Sequence, residues 1–254
     1  MGKIIAVTNQ KGGVGKTTTT VNLAYNLATD FKLKVLLIDL DPQGNATSGL
    51  GVARESVKNI GDVLTGNAKL KDSISASLSE NLFIASTDRR LADSEVMLAQ
   101  VDDRLAKLKQ ALSSVSGDYD AIIIDCPPSL GILTVNALNA ADYVLMPVQA
   151  EYYALEGLSQ LLETMQKVKK SLNPDLEILG VLMTMVDKRN SLSEAVCAEV
   201  EKHFPKSMFE VRIPRNVKLA EAPSHGKPAA VYDKWSKGSR SYKKLAKEVY
   251  ERIR

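Results

Sequence analysis

Residues 9 to 18 read Asn-Gln-Lys-Gly-Gly-Val-Gly-Lys-Thr-Thr and follow directly on the apolar run Ile4-Ile5-Ala6-Val7. Glycines at this density let the backbone curl into a nest whose N–H groups converge on phosphate oxygens, and a helix starting there adds the positive end of its dipole. In the pattern G-x-x-x-x-G-K-[ST] the last three places fall on Gly15, Lys16 and Thr17. Lys16 then reaches the β- and γ-phosphates of a nucleoside triphosphate, and the Thr17 hydroxyl ligates Mg²⁺. The first glycine of the pattern is missing: Gln10 stands in its place, and an additional lysine, Lys11, precedes Gly12-Gly13. Lys11, Gly12, Gly13 and Val14 therefore lead into the cradle, and Gly15, Lys16, Thr17 and Thr18 open the helix. ATP and Mg²⁺ are the expected cofactors.

Two acidic motifs end apolar runs elsewhere in the chain. One is Asp39-Leu40-Asp41-Pro42-Gln43-Gly44-Asn45, after Val35-Leu36-Leu37-Ile38. The other is Asp125-Cys126-Pro127-Pro128-Ser129, after Ile122-Ile123-Ile124. If these runs are parallel strands, both acidic motifs lie at carboxyl ends, beside the glycine-rich loop. Asp125 is then placed to hold Mg²⁺ through water. A carboxylate at Asp41 can orient an attacking water without a shifted pKa, because phosphoryl transfer depends mainly on positioning and charge. A strand-terminal Asp is also a common turn residue, so the acidic motifs carry weight only together with the loop. Cys126 reads as a small buried apolar residue rather than a nucleophile.

The string K-G-G-x-G-K-T-T is a deviant Walker A box, and with it the chain resembles the ParA/MinD superfamily of P-loop ATPases. The resemblance implies the P-loop NTPase fold and a nucleotide-sandwich dimer in which Lys11 reaches the phosphates bound by the other subunit. Asp39 to Asn45 resembles the Walker A′ box of ParA-type proteins, which implies a catalytic role for Asp41 beside Lys11 and Lys16, and a place for Asp39 nearer the metal shell with Thr17 and Asp125. The runs Pro147 to Gly157 and Ile213 to Ser224 look like chromosomal ParA (Soj-type) proteins, and the resemblance extends from Ile4 to about Val249. By it, Pro214 and Asn216 lie near the adenine, with Met185 and Asp187 as further neighbours. It implies a ParB-type centromere-binding partner, and DNA as the surface on which the ATP dimer acts.

These residues need elements to hold them. Short apolar runs alternate with helix-length amphipathic segments, which predicts an α/β fold, a mostly parallel twisted sheet with helices on both faces. Strands are expected at Lys3 to Thr8, Lys34 to Asp39, Leu82 to Ser86, Ala121 to Asp125, Tyr143 to Val148, Ile178 to Met183 and Met208 to Ile213. Helical spacing runs through 17 to 29, 93 to 115, 129 to 141, 155 to 171 and 191 to 203. The stretch Gly49 to Ala76, rich in Ser, Lys and Gly, yields no assignment. At 254 residues a single P-loop ATPase domain over 1–254 is expected.

Composition narrows the function classes. No run of 18 apolar residues occurs, so no membrane span is expected. The chain enters a strand within a few residues, which leaves no room for a signal peptide, and two cysteines, Cys126 and Cys197, make neither disulfide nor metal pattern. A cytoplasmic, nucleoid-associated protein is expected. Two histidines argue against a structural zinc site or a Ser-His-Asp hydrolase. Nitrogenase-reductase chemistry is disfavoured by the absence of that family's cysteine ligands.

Charge is uneven. Residues 202 to 254 hold 14 Lys+Arg against 5 Asp+Glu, a net of +9 within a chain of net +3. Such asymmetry is the footprint of a polyanion-binding face. Lys218, Lys227, Lys234, Lys237, Arg240, Lys243 and Lys244 are candidates, and the Soj resemblance adds Arg189 and Arg215. Without a recognition helix or zinc finger, contacts to phosphates of non-specific double-stranded DNA are expected. Two other uses remain open: a MinD-like membrane-cycling regulator and a metabolic ATP-dependent ligase. The final segment sets Tyr242, Leu245, Ala246, Val249 and Ile253 at helical spacing, which reads as a helix docked on the core rather than a membrane anchor.

Overall fold

The computed structural model describes residues 2–53, 58–151, 154–187 and 189–254. Tyr152 and Tyr153, inside the Soj-like run, lie outside the described residues, as do positions 54–57 of the unassigned stretch. Among the described residues the sheet has seven strands: β1 (Lys3–Val7), β2 (Val35–Asp39), β3 (Ile74–Ala76), β4 (Leu82–Ala85), β5 (Ala121–Asp125), β6 (Tyr143–Gln149) and β7 (Glu177–Thr184). Their order is β3-β4-β2-β5-β1-β6-β7, parallel except for the short edge strand β3. Every residue of β2 and β5 is buried. A continuous apolar run has this property only when both sheet faces are covered.

The cover is visible in how successive side chains divide. Ile4, Ala6, Leu36, Ile38, Ile122 and Ile124 enter one core, while Ile5, Val7, Val35, Leu37 and Ile123 enter the other, as the two-residue period of a strand requires. The first core is closed by α3 (Ile60–Leu64), α4 (Arg90–Leu98), α5 (Lys107–Ser113), α6 (Ile132–Ala140), α7 (Ala154–Ser171) and α8 (Ser191–His203). The second is closed by α1 (Lys16–Asp30), α2 (Asn45–Gly49) and α11 (Lys237–Ile253), with the short α9 (Val217–Glu221) and α10 (Ala229–Tyr232) at its margin. In α11 the stripe Tyr242, Leu245, Ala246, Val249 and Ile253 is buried against α1 and the sheet, each large aliphatic contributing about 1.5–3 kcal/mol. That stripe is spent on the core and is not available to a lipid surface. No helix among the described residues is long and apolar enough to cross a membrane.

Two expectations fail, for identifiable reasons. Met208 to Ile213 forms no strand. It touches β7 through the isolated bridge Val181↔Met208, a second bridge joins Val186 to Pro214 just beyond both segments, and in between, the Glu210 and Val211 amides donate to the Glu248 carboxylate of α11 at 2.8 and 3.3 Å. A side chain takes the amides that a ladder would have used. The helix expected over 93 to 115 is two helices. Asp103 between them has φ 58, and α6 receives the broken backbone: Asn136 Nδ2 donates to Arg104 O, Asn139 Nδ2 donates to Leu105 O, and Asn136 Oδ1 accepts from the Leu108 amide. The edge strand β3 also went unassigned.

Candidate active site

The carboxyl ends of β1, β2 and β5 lie side by side, with Val7 and Asp39 each in register with Asp125. The loop leaving β1 is anchored to β6: the Thr8 amide donates to Leu145 O at 3.1 Å and Asn9 Nδ2 to Pro147 O at 2.8 Å. Gly13 and Gly15 have φ of 75 and 90, conformations that side chains other than glycine rarely adopt. The β7 residue Thr184 donates its hydroxyl to Val14 O at 2.8 Å and steadies the bend. The first turn of α1 contains no acidic residue, so its N–H groups and dipole face the nest uncompensated by any side-chain carboxylate of that turn.

Lys16 is buried, and its ammonium donates to Lys11 O at 3.0 Å. Burial lowers its pKa; the charges of Asp125 and Asp41 oppose that shift. Asp125 accepts from Thr17 Oγ1 at 2.7 Å and from Thr20 Oγ1 at 2.9 Å. Asp39 accepts from both the amide and the hydroxyl of Thr47, at 2.7 Å each. Asp41 is buried, and its Oδ1 accepts the Gln43 amide at 2.9 Å. Thr20 and Thr47 are site residues that sequence reasoning missed; the run of four threonines from Thr17 was the available signal for Thr20, and nothing local marked Thr47.

Asp125 and Asp39 are both fully enclosed. Burial raises the Asp125 pKa, and the charge of Asp39 raises it further, while burial raises Asp39 against the pull of the Thr47 hydrogen bonds. Two buried carboxylates held by hydroxyls, with a lysine ammonium near, are a hard-oxygen donor set short of positive charge. Mg²⁺, which takes one or two carboxylates together with phosphate oxygens, fits it. Among the described residues no cluster of three or more His, Cys, Asp or Glu suggests another metal centre.

The sign of the linkage follows. Carboxyls raised in the folded state hold protons that the unfolded chain has released, so fold stability falls as pH rises above about 4. Asp125→Asn removes one charge and keeps a group that can pair with both threonine hydroxyls. Without nucleotide and Mg²⁺, its Tm at pH 8 is expected to exceed that of the parent protein by roughly 2–4 °C for each kcal/mol of repulsion relieved. The stabilisation that Mg²⁺-nucleotide gives the parent should vanish. Thermal melts at pH 5 and 8 check both; a lower Tm at pH 8 for the nucleotide-free variant would contradict this account.

Lys11 does not sit on the nest. Its ammonium lies 3.3 Å from Glu151 Oε2, and the same carboxylate hydrogen-bonds Gln149 and lies 3.9 Å from Arg215. Beside the nest a cavity of about 240 Å³ is lined by Gly15, Thr18, Met185, Pro214, Asn216 and Tyr242. Three of the four residues expected near an adenine, Met185, Pro214 and Asn216, thus meet there. Asp187 lies along the neighbouring groove instead. Met185 has φ 52. Tyr242, fully buried and 3.1 Å from the Thr19 hydroxyl, was expected only as core.

The neighbouring groove, about 990 Å³, is lined by Arg189, Arg212, Arg215, Lys237, Arg240 and Lys244, with Asp187 as the acidic member. It gathers five of the nine basic candidates, Arg189, Arg215, Lys237, Arg240 and Lys244. The others lie elsewhere: Lys218 is paired to Glu221 at 2.9 Å, Lys227 faces a cavity beside Thr17 and Asn45, Lys234 lies over the Trp235 ring, and Lys243 pairs with Asp30 at 2.9 Å. Arg212 was missed; Glu194 and Glu201 hold it at 3.2 and 3.6 Å. Pro214 and Arg215 line both the cavity and the groove. Cys126 is buried, and its thiol pKa is pushed up by burial, as a packing residue requires.

A family model described as an AAA domain matches residues 2–178. The chain is 56% identical over 250 residues to the sporulation initiation inhibitor protein Soj of Bacillus subtilis (strain 168), covering 98% of each chain. It is 48% identical to the chromosome partitioning protein ParA of Myxococcus xanthus (strain DK1622), covering 99% of this chain and 89% of that one. Among solved structures, cobyrinic acid a,c-diamide synthase from Mycobacterium smegmatis with bound ADP and magnesium superposes with a TM-score of 0.85 at 36% identity, over 97% of this chain and 93% of that one. Sequence kinship across nearly the whole length, on a sheet that brings a glycine nest and two strand-end aspartates together, decides the question of descent: the chain belongs to the Soj/ParA family of chromosome-partitioning ATPases.

Proposed function

We propose that the chain is a single-domain cytoplasmic Mg²⁺-ATPase that dimerises around ATP, binds non-specific duplex DNA of the nucleoid in that state, and lets go on hydrolysis. The observation that carries this reading is the shared wall: Pro214 and Arg215 border the base-sized cavity and the basic groove at once. A base held in the cavity bears on a residue that also faces the polyanion, so the two ligands are coupled through Arg215. In the dimer, Lys11 leaves Glu151 for the partner's phosphates, two grooves face the same duplex, and avidity makes DNA binding nucleotide-dependent. Thr17, Asp125 and, at the margin, Asp39 hold Mg²⁺, which when bound offsets charge on the β- and γ-phosphates. Lys16 pairs with those phosphates and Asp41 orients water. A ParB-type centromere-binding protein as activator fits the family.

Binding to unrelated duplexes and to anionic liposomes, each with ADP and with a non-hydrolysable ATP analogue, tests the reading. Duplex binding with the analogue alone supports it; liposome binding without duplex binding would replace it with membrane cycling. Arg240→Glu should weaken binding alike on all sequences, because phosphate contacts carry no base information. The slope of log affinity against log salt should fall by about two per dimer, about one for each lost contact. ATP-dependent dimerisation should persist, since Arg240 lies away from the nest. Lys218 is the weaker choice for this test because Glu221 already neutralises it. An unchanged slope for both Arg240→Glu and Arg215→Glu would leave the groove without a DNA role.

A further inference from the structure

The single tryptophan of the chain, Trp235, is 75% exposed. It is not on a loose loop. Its amide donates to Asp233 Oδ1 at 3.1 Å, closing a turn, and the next residue, Ser236, caps α11 by accepting the Ser239 amide at 3.1 Å. Two residues later Gly238 lies flat on Leu219 of α9, with no space for a side chain, so the start of α11 is fixed against the rest of the margin. Val217 and Val231, on the adjoining α9 and α10, are 68% and 41% exposed. A rigid platform thus holds a large indole in water, at a cost that packing within the monomer does not offset.

Its surroundings are cationic. The Lys234 ammonium lies 5.1 Å from the ring centroid of Trp235, and Lys237 and Arg240, in the first turn of α11, line the basic groove. We infer that Trp235 is an apolar contact to duplex DNA at the rim of that groove, the indole lying against a sugar or base edge while Lys234, Lys237 and Arg240 take the flanking phosphates. The chemistry matches a polyanion whose charged backbone alternates with flat apolar faces. Apolar side chains of minor-groove proteins pack at base steps in this way, and a contact of this kind makes no base-edge hydrogen bond that would read sequence. The inference rests on the DNA-binding reading above and adds to it a contact that is not electrostatic.

That difference makes it testable. With one tryptophan in the chain, fluorescence excited at the red edge of the indole band, where the tyrosines do not absorb, reports on residue 235 alone. Protein loaded with a non-hydrolysable ATP analogue and titrated with unlabelled duplexes should lose emission, with the midpoint found from anisotropy of a labelled duplex; with ADP the emission should stay constant. Trp235→Ala should weaken duplex affinity about fivefold or more while the salt slope stays at the parent value, since an apolar contact releases no counterion. Trp235→Phe should recover most of the loss, and both variants should dimerise with ATP as the parent does. Unchanged emission together with unchanged affinity of Trp235→Ala, in a protein whose Arg240→Glu variant binds weakly, would overturn the tryptophan contact and leave the DNA reading standing. Absence of duplex binding by the parent protein in every nucleotide state would remove the DNA reading itself. A blue shift on phosphatidylglycerol vesicles with none on duplex would assign the patch to a lipid surface and overturn the inference.

Discussion

Lys16→Ala is expected to abolish the proposed ATP-dependent dimerisation. The ammonium is buried beside the nest and donates to Lys11 O. Its charge is held in place against a desolvation penalty that lowers its pKa, which an anion in the nest repays. A buried charge-assisted contact is worth about 1.5–3 kcal/mol, and the proposed role gives this lysine more than one to the β- and γ-phosphates, so ATP affinity should fall about 100-fold or more. Size-exclusion chromatography with ATP, alongside calorimetric titration of nucleotide, measures both effects. A Lys16→Ala protein that still elutes as an ATP dimer would overturn the site assignment. Gly12→Val is the companion. A Cβ at Gly12 meets nothing nearer than Pro128 Cβ at 4.0 Å, so the variant should fold and bind nucleotide, while its branched side chain would stand where the proposed dimer brings two such loops together. It should remain monomeric with ATP; a dimer would remove the sandwich arrangement.

Asp41→Ala should bind ATP, accumulate as the ATP dimer and lose hydrolysis by about 100-fold or more, a barrier increase of about 2.7 kcal/mol. The carboxylate is held in place by the Gln43 amide and lies outside the nest, so the phosphate contacts survive its loss. Because Ala also removes that turn, Asp41→Asn is the sharper comparison: an amide oxygen can keep the Gln43 bond while the charge is gone. Equal loss in both variants assigns the effect to charge and water positioning. Steady-state phosphate release within about threefold of the parent protein, under roughly 0.7 kcal/mol of barrier, would transfer the role to Asp39. Asp39 is the poorer candidate on geometry, since Thr47 occupies one of its oxygens twice.

What could be read from residue order divides along physical lines. The glycine nest, Thr17 and the strand-end aspartates were legible because each is a short contiguous signal: a buried β-branched run, then the polar residue that must end it. Thr47, Arg212 and Tyr242 were not, because each reaches its place through tertiary contact alone; Tyr242 meets Thr19 across more than two hundred residues. The failed strand at Met208 to Ile213 has the right composition, but between its bonds to Val181 and Met183 its Glu210 and Val211 amides turn to the carboxylate of Glu248 on a distant helix, and the ladder is interrupted. The false continuity of 93 to 115 has the same origin, in asparagines of α6 that satisfy a break no local propensity announces. Net charge located the basic region, but which lysines face solvent together depends on how α11 lies beside the segment carrying Arg212 and Arg215.

The pairing of Asp39 with Asp125 across neighbouring strands makes the hydrogen-bond ladder a caliper for the chemistry. A slip of one residue between β2 and β5 would displace one carboxylate by about 3.3 Å and turn it to the opposite face of the sheet. The loops that precede these strands, at the opposite end of the sheet from the site, can therefore lengthen or change composition, while the strands themselves cannot gain or lose a single residue. Insertions there would silence the site without touching any residue in it, and a one-residue deletion in β2 should be as damaging as removing an aspartate outright.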